Sequence, residues 1–375
     1  MTGAVVVAGA VARRIDCGGH VWALLQWALG FRELGWSVLF LDRLDAAPGI
    51  RDSREVRRFL ETMELFGLAD SFSLDLGPDQ EPVGLSRRDV LAKVTDADFV
   101  VNVMGYLEDA ELLARASRRV FLDIDPGFGQ MWRALGLCDV FRNHDAFVTV
   151  GTRIGQDDCR VPTCGLDWIT TLPPVVIDQW PADVERCGSF TSVGAWRGPW
   201  APVEYEGQRF GLRAHEFRRF AAVPRESGLD FEIALDIAPE DHADASRLIG
   251  GGWRLSDPRC VSGTPQEYQH YVRSSLAEFG IAKEMYVAAR TGWVSDRTAC
   301  YLASGRPAIV QNTGLDGTIE TGVGLLTFST PEEAMSAAHS VHGDWHRHAR
   351  AARALAVEHF DSDRVLRRFV DEVAA

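Results

Sequence analysis

The sequence predicts an α/β chain made of two consecutive parallel-sheet domains, and three observations carry that expectation. Short apolar runs of strand length alternate with segments of helical period from the first residues onward. The alternation stops at a proline-rich connector, Leu172-Pro173-Pro174 to Trp180-Pro181. Beyond the connector the same order of strand, helix and strand begins again.

The first domain, expected over residues 1–174, opens with an apolar strand across Ala4–Val11 and a turn containing Gly18-Gly19. A helix follows from His20 to Leu34, because Val21, Leu24, Leu25, Ala28 and Phe31 recur on one face. Gly35 closes that helix, and Ser37–Leu41 is the next strand. Further strands are expected at Phe99–Met104, Val120–Ile124 and Ala146–Val150, with a helix across Asp109–Ala116. In the connector, Val175–Gln179 is expected to be extended.

The second domain, expected over residues 175–375, runs through a strand at Phe190–Gly194, a helix at Ala214–Ala222, and strands at Phe231–Asp236 and Trp253–Ser256. A helix at Pro265–Leu276 leads to a strand near Phe279–Ala282. A helix at Asp296–Ala303, strands at Pro307–Gln311 and Leu325–Phe328, and helices from Pro331 onward complete it. The last helix is expected to pack back on the first domain. The expectation is therefore two Rossmann-like sheets facing across a cleft, with ligands held by loops that follow strands.

Composition narrows the function. The chain has 375 residues, 46% of them apolar, and a formal net charge of −14, which argues for a folded protein and against phosphate-backbone binding. No nucleic-acid partner is expected. Lys93 and Lys283 are the only lysines, so arginine carries nearly all positive charge, as in GC-rich bacterial coding. Seven scattered cysteines show neither zinc spacing nor an even count, consistent with free thiols in a cytoplasmic protein. Met1–Ala12 is too short for a membrane span and lacks a basic leader, so neither a signal peptide nor a membrane span is expected.

Two stretches resemble GT-B glycosyltransferases, of the group-1 or family-4-like bacterial kind. Gly18-Gly19-His20 followed by Leu34-Gly35-Trp36-Ser37-Val38 is similar to their N-terminal glycine-rich loop, helix and strand start. Ser295 to Ile309, with Ala303-Ser304-Gly305-Arg306-Pro307-Ala308, resembles their donor-site helix and following strand. The resemblance implies metal-independent transfer of a sugar from a nucleotide-diphosphate sugar, which is a co-substrate, with no other cofactor. It also implies a donor site in the second domain and an acceptor site in the first. Many retaining members carry two glutamates with seven residues between them. Register on Gly305 places Gly292 and Cys300 at those positions, leaving Asp296 as the neighbouring carboxylate. The histidine position of inverting members falls on Gly18.

The residues themselves suggest how such chemistry would be served. Ser295 and Asp296 are good N-cap residues, and a helix start offers free N–H groups and positive dipole to a diphosphate. Arg297 in that first turn opposes the dipole unless an anion is present. Arg197, after the first strand of the second domain, has a fork suited to phosphate oxygens, though a solvated loop arginine reads the same way. Lys283, near a strand end, is a second phosphate candidate. Glu278 either binds sugar or ribose hydroxyls or pairs with an arginine. For proton transfer, Asp16 and His20 flank Gly18-Gly19, whose lack of side chains would let backbone approach the donor. His20 otherwise starts the helix and stacks on Trp22 or Trp27.

On the acceptor side, Tyr106, Asp125, Gln130 and Trp168 are candidates, the aromatics by stacking. Asp123-Ile124-Asp125 is read as cleft lining in preference to a metal site. His339, His342, His346 and His348 are expected on exposed surface, and no metal ligands are assigned. The expected activity is transfer to a small-molecule or cell-surface acceptor. Two alternatives stand beside it: a nucleotide-sugar epimerase of the same fold, and a catalytically silent nucleotide-binding partner.

Overall fold

A computed structural model describes residues 3–182, 185–198 and 200–374. The first sheet holds β1 (Ala4–Ala8), β2 (Ser37–Arg43), β3 (Phe72–Asp75), β4 (Val83–Gly84), β5 (Phe99–Val103), β6 (Arg119–Asp123), β7 (Ala146–Thr149) and β8 (Trp168–Thr170). Its strand order is β4-β3-β2-β1-β5-β6-β7-β8, parallel throughout except for the β3–β4 pair. Order reverses at β1, which leaves a crevice between the loops after β1 and β5. Five helices cross over in this half: α1 (Gly18–Glu33), α2 (Arg54–Leu65), α3 (Arg87–Asp96), α4 (Ala110–Arg115) and α5 (Phe128–Ala134).

The chain then builds β9 (Phe190–Ala195), the antiparallel hairpin β10 (Val203–Tyr205) and β11 (Gln208–Phe210), β12 (Phe231–Asp236), β13 (Arg254–Ser256), β14 (Ala277–Gly280), β15 (Ala308–Gln311) and β16 (Leu325–Phe328). The second sheet, in order β13-β12-β9-β14-β15-β16, is entirely parallel and reverses at β9. Its helices are α6 (Arg213–Phe217), α7 (Val223–Ser227), α8 (His242–Gly250), α9 (Pro258–Val261), α10 (Pro265–Arg273), α11 (Glu284–Ala288), α12 (Asp296–Ala303), α13 (Pro331–Gly343), α14 (Trp345–Leu355) and α15 (Ser362–Ala374). Strands such as β5 (Phe-Val-Val-Asn-Val) and β15 are buried along their whole length, as a sheet covered on both faces requires.

Several boundaries differ from expectation for identifiable reasons. The first strand ends at Ala8, and Ala12–Arg14 forms a 3-10 turn because the buried Asp42 carboxylate accepts the Ala12 N–H at 2.9 Å. The expected helix over 214–222 breaks after Phe217, and Pro224 opens the separate α7. The connector is not extended throughout: Val175 bridges to Asp361, but Ile177–Gln179 is a 3-10 turn. The polar helices α2, α3 and α8, and the β10–β11 hairpin, were outside the sequence expectation. Their apolar faces are narrow, and tertiary packing supplies their partners.

The two halves share a core. α1 is the hub, with Trp22 packed on Phe66 and Trp180 and Trp27 on Phe369 of α15. Neither tryptophan is stacked by His20 among the described residues. The last helix lies against α1 where Gly30, lacking a side chain, leaves room for Leu366 and Ser362. The Trp22 indole N–H also donates to the Pro265 carbonyl across the interface at 2.9 Å. His348 is 3% exposed, not on the surface, and its Nδ1 accepts the Gly324 N–H. His339, His342 and His346 are exposed.

Candidate active site in the cleft

A cavity of about 950 Å³ opens between the halves at the carboxyl ends of strands from both sheets. From the first half it is lined by the loops after β1 (Arg14, Asp16, Cys17, Gly19, His20), β5 (Met104, Tyr106) and β6 (Ile124, Asp125). From the second half come the loops after β9, β12, β13 and β14, Arg213, and the start of α12. Both sheets thus present their ligand-holding edges to one space.

The residues expected on the donor side converge, with different freedoms. Arg197, Lys283, Ser295, Asp296 and Arg297 all line the cavity. Ser295 caps α12 by accepting the Arg297 N–H at 3.2 Å. Arg197 is not a free cation: its fork is closed on Asp241, with Nε to Oδ2 at 2.7 Å. Glu278 is fully buried and absent from the cavity wall; it holds Arg297 Nε at 2.7 Å, while Arg297 Nη1 donates to the Val193 carbonyl at 2.8 Å. Of its two expected roles, the structure shows the arginine pairing, and that pairing fixes a cation in the first turn of α12.

Asp296 carries the carboxylate closest to the cavity on this helix, and burial holds its pKa above the ordinary range. Cys300, one turn later on the same face, is buried and accepts a weak contact from Gln26 of α1. Gly292 has φ of +68°, and a Cβ there would lie 2.3 Å from Thr152 Oγ1. Neither of the two glutamate positions could hold a carboxylate toward the cleft without repacking.

The residue that sequence reasoning missed is Arg213. It lines the cavity, its Nε is buried without a hydrogen-bond partner, and it forms no ion pair among the described residues. Burial pushes its pKa down to about 10, so it stays charged at neutral pH. It lies against Gly194, where an added Cβ would sit 1.9 Å from its Nη1. A half-buried guanidinium whose Nε lacks a partner is costly to maintain and is best satisfied by an anion. In the chain, the β10–β11 hairpin separates Arg213 from β9, so proximity in sequence pointed to Arg197.

Asp125 joins the halves. It accepts from Lys283 Nζ at 2.5 Å, from the Tyr286 hydroxyl, and from Trp200 Nε1 at 3.3 Å. Burial lowers the Lys283 pKa, although Asp125 opposes that shift. Asp123 is turned inward, accepting from Gln130 at 2.7 Å and Thr149 at 2.9 Å, and burial raises its pKa to about 6. Gln130 is therefore a buried brace behind the cleft, not part of its wall. Trp168 packs edge-on against Phe141 and donates to the Thr163 carbonyl, also away from the cavity wall. Tyr106 does line the cavity, and its pKa is raised by burial.

At the β1 loop, Asp16 is paired with Arg54 at 3.0 Å and with Arg58. It does not orient His20, whose Nε2 lies 2.9 Å from the Ala10 carbonyl. A carbonyl only accepts, so Nε2 carries the proton and Nδ1 keeps a lone pair. Burial lowers the His20 pKa to about 4, and the imidazole is neutral near pH 7. Gly19 lines the cavity, but Gly18 does not. The Gly18 N–H donates to the Ser262 carbonyl at 2.7 Å, and a Cβ would meet the Thr264 carbonyl oxygen at 2.1 Å. Gly18 serves the contact between halves, a role that needs the missing side chain as much as a ligand would.

No protein-family model and no curated protein matches the chain. Solved structures do. An alpha-glucosyltransferase in complex with UDP-glucose and DNA containing an abasic site is 12% identical, with 100% of each chain covered and a TM-score of 0.63. Anabaena Alr3699/HepE in complex with UDP and glucose is 12% identical, with 99% of each chain covered and a TM-score of 0.59. A glycosyltransferase from Rickettsia africae ESF-5 is 11% identical, covering 99% of this chain and 97% of its own, with a TM-score of 0.53. What this chain has in common with them, end to end, is the GT-B fold of glycosyltransferases: two Rossmann-like domains facing across a cleft.

Proposed function

We propose that this chain is a glycosyltransferase that moves a sugar from a nucleotide-diphosphate sugar to a hydroxyl-bearing acceptor, without a metal. The observation that carries the reading is the convergence of Arg213, Lys283 and the capped start of α12 on one cavity. Structural neighbours that hold UDP or UDP-glucose support the donor class.

In this reading the diphosphate sits between Arg213 and the α12 N-terminus, where cations and dipole stabilise the negative charge of the leaving group. Glu278 keeps Arg297 aimed at that site. Lys283 joins when it exchanges Asp125 for a phosphate oxygen. The nucleoside lies along the ends of β12 and β13, where Ile237, Ala238 and Leu255 offer apolar surface and Ser256 and Asp257 offer polar atoms. Asp296 faces the sugar hydroxyls as an acceptor. The acceptor enters from the first half, past Tyr106, with His20 Nδ1 as the proton acceptor, since Asp16 is held by Arg54 and Arg58.

Thermal shift with UDP, TDP, GDP and ADP tests the site. One diphosphate is expected to raise Tm, and Arg213→Ala is expected to weaken that nucleotide by about 10-fold or more, the worth of a charge-assisted contact. Absence of stabilisation by all four would refute the donor site.

A further inference from the structure

The cations of the cleft fall into two groups. In the second half Arg197 and Arg259 are paired with Asp241 and Asp257, while Arg213, Arg297 and Lys283 surround the proposed diphosphate. Arg14 belongs to the first half: it lines the cavity, is exposed, and forms no ion pair among the described residues. Around it the balance is positive within a chain of net charge −14. Arg13 is paired with Asp45 at 3.0 Å, and Arg54 and Arg58 share the single carboxylate of Asp16. Beside the buried Asp42, these four arginines meet two further carboxylates, Asp45 and Asp16, and Arg14 is the one of the four left without an ion pair among the described residues.

The backbone that carries Arg14 is held in place. Arg14 ends the 3-10 turn Ala12–Arg14, which the buried Asp42 anchors through the Ala12 N–H. From there it acts electrostatically on both His20 and Tyr106, the groups that border the acceptor entrance. An unpaired guanidinium on the same cavity wall as a neutral imidazole can seat an anion while leaving the imidazole lone pair for a hydroxyl.

We infer that the acceptor is a small molecule bearing an anionic group, a phosphate or a carboxylate, which Arg14 binds while the acceptor hydroxyl approaches His20. The inference rests on the glycosyltransferase reading and adds the acceptor's charge class. A nucleic acid is the weaker fit. The chain as a whole carries a net charge of −14, which repels a phosphate backbone.

The test uses the full chain saturated with UDP, titrated calorimetrically with inorganic phosphate, with acetate, and with a short DNA duplex. Phosphate or acetate is expected to bind beside UDP, identifying a phosphorylated or a carboxylate acceptor respectively. Arg14→Gln is expected to weaken that anion by about tenfold. Arg14→Lys should recover part of the loss, and UDP affinity should stay unchanged in both variants. The inference is overturned if neither small anion binds beside UDP, if Arg14→Gln binds it as well as the parent, or if Arg14→Gln loses UDP instead. Tighter, salt-sensitive duplex binding that depends on Arg14 overturns it in favour of nucleic acid. Failure of the parent chain to bind any nucleotide strikes the donor site, whereas UDP binding without an Arg14-dependent anion strikes this inference alone.

Discussion

Arg197 and Arg213 show what decides a functional arginine. Both lie beyond β9 on the cavity wall, yet Asp241 neutralises one while the other is half-buried and without an ion pair among the described residues. Gly194 makes room for the second. Gly194→Ala should fold, because the flexible end of the Arg213 side chain can move, but nucleotide affinity should fall toward that of Arg213→Ala. Isothermal titration with UDP reads the loss, and unchanged affinity would mean that the guanidinium position is irrelevant to binding. Buried carboxylates offer a second residue-scale prediction. Burial raises the Asp42 pKa to about 7 in the folded chain, above its unfolded value, so its contribution favours folding at low pH and is lost as pH rises through about 7. Asp42→Asn keeps an acceptor for Ala12 but cannot ionise. Its stability relative to the parent should therefore improve between pH 5 and pH 8, by about 1 kcal/mol or more, in urea denaturation at each pH.

Among the elements, the β10–β11 hairpin reaches furthest. Val203 and Phe210 leave the second half and pack with Phe128 and Met131 of α5, while Trp200 meets Trp132 edge-on at 4.9 Å. The hairpin thus ties the loop that carries the proposed phosphate-binding residues to the first half. Phe210→Ala should cost about 3 kcal/mol as a large core deletion, seen as a lower denaturation midpoint, with earlier proteolytic cutting between residues 198 and 212. Helix α12 behaves differently. Ser295 at its cap and Gly305 beyond its end were legible in the sequence, and its bounds Asp296–Ala303 agree with expectation. The hairpin was not legible, because three-residue strands with mixed polarity give no period to read.

At the scale of the whole molecule, closure is specified by contacts between the halves. Asp125 reaches Lys283, Arg58 Nη2 reaches the Gly263 carbonyl at 3.1 Å, and Gly18 fits beneath Thr264. Gly18→Ala would drive a Cβ into a backbone carbonyl that cannot rotate away. The halves should separate slightly at a cost of about 1–3 kcal/mol, measured as a lower Tm together with a larger radius of gyration in solution scattering. Equal compactness and equal Tm would contradict the role assigned to Gly18.

What the sequence determined by itself was the architecture and the capped helix α12. Apolar runs of period 2 or near 3.6, broken by glycine and proline, are local signals, and β1, α1, β12, α12 and β16 follow from them. What only the tertiary structure decided was which charged groups remain free. Arg197 closed by Asp241, Glu278 spent on Arg297, Asp16 held by two arginines, and Arg213 and Arg14 left open are outcomes of long-range pairing. Ion pairs form between residues tens to hundreds of positions apart, and composition or spacing carries no record of which partners the fold will bring within reach.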